Sequence, residues 1–183
     1  MTDVPNDAQD GRRTDSQRTD SRSQRSRLCL TKTIMDTLVL GVGNPILTDD
    51  AVGFRVAHLL REAKSELTVI ETAEAGLTLL ELIAGYERVI IIDSIKTGHS
   101  KPGTLHKLTL EQIDPSWNFC STHGIDIKMA FELGRKLGYK LPAKLSIYGI
   151  EIEDNKNFGE KCTEEVEKSI PQIVQEIITR EKL

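Results

Sequence analysis

The run Val89-Ile90-Ile91-Ile92-Asp93 is β-branched without interruption and then stops on a carboxylate. A strand with one face in water alternates apolar and polar side chains, whereas one that is apolar at every position has to be covered on both faces. Such a strand belongs at the centre of a sheet sandwiched between helices. The sequence on either side supplies both the partner strands and the covering helices.

Leu38-Val39-Leu40 reads as a first buried strand, and Gly41 and Gly43 permit a tight turn after it. From Asp50 to about Lys64, apolar residues at Val52, Val56, Leu59 and Leu60 have helical spacing, with Thr48 or Asp49 as the expected cap. Thr68–Glu71 predicts a second strand, and Leu77–Tyr86 a second helix through Leu79, Leu80, Leu82 and Ile83. The Gly- and Pro-containing stretch 96–103 predicts a turn, and Thr104–Leu108 alternates as an antiparallel strand returning alongside. That connection permits a hairpin and is too short for a crossover helix. An amphipathic helix from about Gly124 to Leu137, a last strand over Lys144–Ile150 and a C-terminal helix opening at Thr163, bent at Pro171, complete the pattern. Alternation of this kind predicts a three-layer α/β fold: a doubly wound, mostly parallel five-stranded sheet with one antiparallel strand and helices on both faces.

Residues 1–34 differ from everything after them. They hold seven Lys and Arg and five Asp, repeat Arg-Thr-Asp-Ser, and offer almost nothing to bury, so a disordered N-terminal extension is expected ahead of a single domain over 35–183. No apolar stretch follows Arg12-Arg13 beyond Leu28-Cys29-Leu30, which argues against an export signal. Residues 35–183 carry 17 basic and 23 acidic groups, net −6, a balance that argues against nucleic acid as a partner. The apolar runs are too short to span a bilayer. Cys29, Cys120 and Cys162 are odd in number and form no Cys-x-x-Cys, as expected of reduced thiols in the cytoplasm.

Chemistry is expected at the first turn. In Gly41-Val42-Gly43-Asn44-Pro45-Ile46-Leu47-Thr48-Asp49-Asp50 the third glycine of a dinucleotide loop is replaced by Ile46, and a pyrophosphate would meet two carboxylates. No Gly-Lys-Ser/Thr follows, so a P-loop is excluded and no organic cofactor is expected. Acidic groups at such a turn suit a cation, proton transfer or helix capping.

Asp50 follows the first strand, Asp93 ends the third, and His123 precedes a helix returning to the sheet, so all three can converge on one edge. Two carboxylates and an imidazole suit nickel, zinc, cobalt or manganese, and three protein ligands leave coordination positions open for a metal shared with a substrate. Plainer roles compete with this. Asp49 and Asp50 can cap the helix, and His123 can sit solvated beside Ser121 and Thr122. Asp93 gains nothing by packing at the end of a central strand. His58, His99 and His106 receive no chemical role. Ser94 and Ser121 lack a Gly-x-Ser-x-Gly elbow, and Cys120 has no nucleophile context, which disfavours acyl-enzyme chemistry.

The segment Gly41–Gly53, together with Glu74-Ala75-Gly76 before Leu79-Leu80, Ile92-Asp93-Ser94 and Ser121-Thr122-His123, resembles the hydrogenase maturation proteases, from about Asp36 to the C-terminal helix. These are endopeptidases that trim the C-terminus of the nickel-iron hydrogenase large subunit after nickel insertion. The resemblance implies that Asp50, Asp93 and His123 contact nickel carried by the large-subunit precursor, with Asp50 and Asp93 also the catalytic candidates. Ala51 stands where many relatives have Gly, and Asp50 where some have Glu; a further acidic position falls on Glu71 or Glu74. Two other readings are a peptidyl-tRNA hydrolase-like esterase, whose Arg-His-Asn after the turn is missing here, and a non-catalytic nickel chaperone.

Overall fold

A computed structural model describes residues 37–74, 76–113, 118–119 and 127–183. The expected disordered extension over 1–34 and the candidate ligand His123 lie outside the described residues. Strand β1 (Thr37–Val42) ends in the glycine turn, and a 3-10 turn at Asp49–Ala51 leads into α1 (Val52–Ala63). Strand β2 (Thr68–Thr72), α2 (Leu77–Ile83) and β3 (Arg88–Lys96) follow. Then come β4 (Leu105–Leu108), the two-residue β5 (Asn118–Phe119), α3 (Ile127–Lys136), β6 (Lys144–Glu151) and α4 (Glu164–Glu181).

The sheet has the order β2-β1-β3-β6-β4, with β5 pairing to β3 off that path. Strands β2, β1, β3 and β6 are parallel, and β4 runs antiparallel to β6. The doubly wound, mostly parallel architecture expected from the sequence is therefore the one observed. The strand expected to return in a hairpin is antiparallel, but its partner is β6. The edge of β3 that a hairpin would need is taken by β6 from Arg88 to Ile95.

The period-2 alternation of the strands divides their side chains between two cores. Leu38, Leu40, Val89, Ile91 and Ile147 face α2 and α3, meeting Leu80, Ile83, Ala130 and Phe131. Val39, Ile90, Ile92, Tyr148 and Ile150 face α1 and α4, meeting Val52, Val56, Leu60, Val166 and Ile173. Burial of β3 on both faces, inferred from its composition, is borne out; each fully buried isoleucine there contributes roughly 1.5–3 kcal/mol. Helix α4 continues through Pro171.

Candidate active site

Chain connections from β1 and β3 leave in opposite directions: α1 carries the chain from β1 to β2 on one side, whereas from β3 the chain passes on to β4 and β6 on the other. In an open α/β sheet the crevice for ligands lies where the connections diverge, outside the carboxyl ends of the strands. Here that place is between the ends of β1 and β3. Asp50 follows the first strand, and Asp93 is the sixth of the nine residues of β3, three before its end at Lys96.

Two glycines let the backbone close up at this point. Gly43 has φ +151, and a Cβ there would stand 2.0 Å from the Asp50 carbonyl oxygen. Gly53, in the first turn of α1, sits against carbonyl groups of both strands, at the end of β1 and midway along β3: a Cβ would stand 2.1 Å from the Val42 oxygen and 2.7 Å from the Ile92 oxygen. The start of α1 is thus wedged into the fork between β1 and β3, and the 3-10 turn before it delivers Asp50 to the fork.

β1 pairs with β3 only as far as Ile92, and β5 pairs from Ile95 onward. Since β6 occupies the opposite edge of β3 throughout, β1 and β5 share one edge, with Asp93 and Ser94 in the interval between them. Asp50 is 2% exposed, Asp93 3% and Ser94 0%. The Ser94 hydroxyl donates to Asp50 Oδ1 at 2.5 Å, and the Ser94 backbone N–H donates to Asp93 Oδ1 at 2.7 Å. One serine therefore bridges two carboxylates that lie 43 residues apart. Burying carboxylates is costly unless hydrogen bonds or a cation hold them, and packing alone does not require acids here. The sequence placed Asp50 and Asp93 on one edge and gave Ser94 no part; its signal was its place beside Asp93 in a strand whose two faces alternate.

Neither Thr48 nor Asp49 caps the helix. No side-chain cap bond is made to the 3-10 turn or to α1. The Thr48 hydroxyl donates to the Asn157 carbonyl at 2.7 Å. Asp49, fully buried, accepts from the backbone N–H groups of Glu153 (3.1 Å), Asp154 (2.9 Å) and Thr163 (2.6 Å), and from the Thr163 hydroxyl (3.1 Å). Four donors a hundred residues away outcompete the local helix because they arrive together from the β6–α4 loop. Leu47 and Phe158 add a β-bridge between the same two loops.

Glu71 is engaged by Arg61 at 2.8 Å and lies 3.7 Å from His58, and Glu74 is exposed on the loop after β2. Neither is joined to the Asp50–Ser94–Asp93 group by a hydrogen bond among the described residues. A further buried acid, Glu151, accepts from the Thr97 and Gly98 N–H groups, each at 2.9 Å, and from the Thr97 hydroxyl at 2.7 Å, holding the turn that leaves β3. His106 approaches it at 3.7 Å. Among the described residues no group of three potential metal ligands is assembled. His123, Ser121 and Cys120 lie outside the described residues; β5 ends four residues before His123 in sequence, at the strand end that carries Asp93.

A family model described as hydrogenase maturation protease matches residues 54–180 of this chain. The chain belongs to the hydrogenase maturation protease family. The matched span includes Asp93 and the position of His123, while Asp50 lies just before it. Among relatives of this hydrogenase maturation protease, the hydrogenase 2 maturation protease of Escherichia coli K12 is 32% identical over 120 residues, covering 63% of this chain and 73% of the relative. The structure of the E. coli hydrogenase maturating endopeptidase HybD superposes with a TM-score of 0.63 at 26% identity, covering 81% of this chain and 93% of that one. The fold also matches a [NiFe] hydrogenase maturation protease, HybD of Thermococcus kodakarensis, with a TM-score of 0.57 at 23% identity over 80% of this chain and 98% of that one. The chain is a hydrogenase maturation endopeptidase, and neither an esterase acting on peptidyl-tRNA nor a non-catalytic chaperone is favoured. Among the described residues, no helix is long and apolar enough to cross a membrane.

Proposed function

We propose that this endopeptidase removes the C-terminal extension of a nickel-iron hydrogenase large-subunit precursor once nickel has been inserted, and that Asp50, Asp93 and His123 contact the nickel carried by that substrate. The observation that carries the reading is the joining of Asp50 and Asp93 through Ser94 at the fork between β1 and β3. Two carboxylates offer hard oxygen donors, and an imidazole from the segment after β5 would add a borderline nitrogen, a set suited to nickel(II). Such a set leaves coordination positions for the precursor's own ligands, so the metal reports that the precursor is mature.

Hydrolysis then needs a water whose oxygen bonds to the scissile carbonyl carbon while its proton passes to a carboxylate of the Asp50–Asp93 pair. Breaking the C–N bond returns that proton to the leaving amine. Nickel held by the substrate can supply charge stabilisation at the carbonyl oxygen. A cytoplasmic setting is supported by three cysteines that no Cys-x-x-Cys spacing pairs.

The test is a gel-shift of the precursor with and without nickel. Wild-type protein is expected to shorten the nickel-loaded precursor and leave the nickel-free form intact. Asp50→Ala and Asp93→Ala should nearly abolish processing, and His123→Ala should impair it through recognition. Equal cleavage of both precursor forms would remove the maturity check, and full activity of the Asp93 variant would remove that residue from the mechanism.

A further inference from the structure

We propose that Ser94 is the positioning residue that sets Asp50 for the metal, an inference that rests on the reading of Asp50 and Asp93 given above. Asp50 hangs from a 3-10 turn outside the sheet, on a segment whose geometry is not tied to any strand ladder. Ser94 belongs to β3 and is paired with Ile150 of β6, in the middle of the sheet. Alternation along β3 turns Ser94 to the face of Ile90 and Ile92, the face on which α1 packs. From there its single hydroxyl proton goes to Asp50 Oδ1 at 2.5 Å. A hydroxyl donating to an ionised carboxylate makes a short, strong bond that restricts the carboxylate to one rotamer and one rotation.

The same residue fixes the second acid through its backbone. Its N–H meets Asp93 Oδ1 at 2.7 Å, so both carboxylates are indexed to one residue of the central strand. The two attachments differ in kind. An alanine at position 94 would keep the N–H bond to Asp93 and fill nearly the same buried space, and would remove only the hydroxyl bond to Asp50. Metal contacts tolerate errors of only about 0.5 Å, so freedom at Asp50 is expected to be felt in binding and turnover before it is felt in folding.

The experiment compares wild type, Ser94→Ala, Ser94→Thr and Asp50→Ala in three measurements: thermal unfolding, calorimetric binding of nickel(II) alone, and steady-state cleavage of nickel-loaded precursor. For Ser94→Ala we expect a protein that still unfolds cooperatively, with a midpoint lowered by no more than about 5 °C, and nickel(II) binding weakened about tenfold or more, the scale of a lost hydrogen bond to a charged group. Its kcat should fall by a similar factor at unchanged KM for the precursor. Ser94→Thr, which restores the hydroxyl, should recover most of both. Wild-type nickel affinity and kcat in Ser94→Ala, with Asp50→Ala inactive, would overturn the role of Ser94 alone. The same holds if folded Ser94→Thr is as defective as the alanine variant. Wild-type binding and cleavage in Asp50→Ala would overturn the reading of Asp50 itself, and this inference with it.

Discussion

Asp49 and Asp50 are neighbours in sequence, both buried, and their carboxylates serve opposite partners. Asp49 is held by Thr163 at the start of α4 and by the loop after β6, whereas Asp50 is held by Ser94 of the central strand. The turn between β1 and α1 is therefore gripped from one side and offers its second acid to the other. One acid secures the segment, and the next reaches the central strand from it.

That division predicts opposite consequences for the same substitution. Asp49→Asn puts an amide N–H₂ among backbone donors and should destabilise the fold by about 2–4 kcal/mol, since three N–H groups lose a charged acceptor. Asp50→Asn should change stability by less than about 1 kcal/mol while abolishing precursor cleavage, as expected where an acid is kept for function at the expense of the fold. Urea titrations beside the cleavage assay check both; equal stability of the two variants would contradict the division.

Gly53→Ala should be among the most damaging small substitutions. Its Cβ would overlap the Val42 and Ile92 carbonyl oxygens, which are backbone atoms held in the sheet and cannot rotate away. We expect a loss of about 3 kcal/mol or more, which corresponds to a fall of roughly 6–12 °C in Tm for a chain of this size. A scanning calorimetry trace with an unshifted midpoint would show that α1 is not seated in the fork as described.

The far end of the sheet sets the acid limit of stability. Burial pushes the Glu181 carboxyl up, but bonds from Lys107 (2.8 Å), the Tyr148 hydroxyl (2.5 Å) and Arg88 (2.5 Å) more than reverse this and hold it down at about 2. A carboxyl depressed in the folded state stabilises fully above its ordinary value of 4.5, and that contribution is lost as pH falls toward 2. Tm should decline across this window, and Glu181→Gln should flatten the decline while lowering Tm at neutral pH. An unaltered pH profile in the variant would exclude Glu181 as its source.

Burial pushes the Cys162 thiol up to about 12, against a weaker opposing pull from Arg55. A rise from 9 lowers the thiolate fraction near pH 8 by roughly a thousandfold. With Cys29 and Cys120 replaced by Ser, iodoacetamide at pH 8 should leave the native protein unlabelled and modify it once guanidinium unfolds it. Rapid labelling of the native form would contradict the packing of Cys162 beneath α4.

Those features of the molecule that depend on local pattern were legible in the sequence. A strand that turns through glycines to Asp50 marks one strand end by composition alone, whereas Asp93, expected to end the third strand, lies within β3, which runs on to Lys96. The length of β3 was not visible, because Asp93 and Ser94 interrupt its apolar run yet stay paired to β6 through Gly149 and Ile150. Nor was the job of Asp49, whose donors at 153, 154 and 163 form no pattern around position 49. Two-residue β5 carries no periodicity to read, and the alternation of β4 says that it is a strand without saying which neighbour it joins.

The interval on β3 between its last rung with β1, at Ile92, and its first with β5, at Ile95, has a further meaning. A lattice with every rung filled would tie up this edge in main-chain bonds and leave no berth for side chains arriving from outside the sheet. Here an omission two residues long creates the berth, framed by strands on both sides. The length of β1 is then a functional quantity in its own right, separate from its composition. An insertion that carried β1 two residues further along β3 would evict Asp50 without altering a single acid, so this hairline vacancy has to be inherited by spacing and not by residue identity.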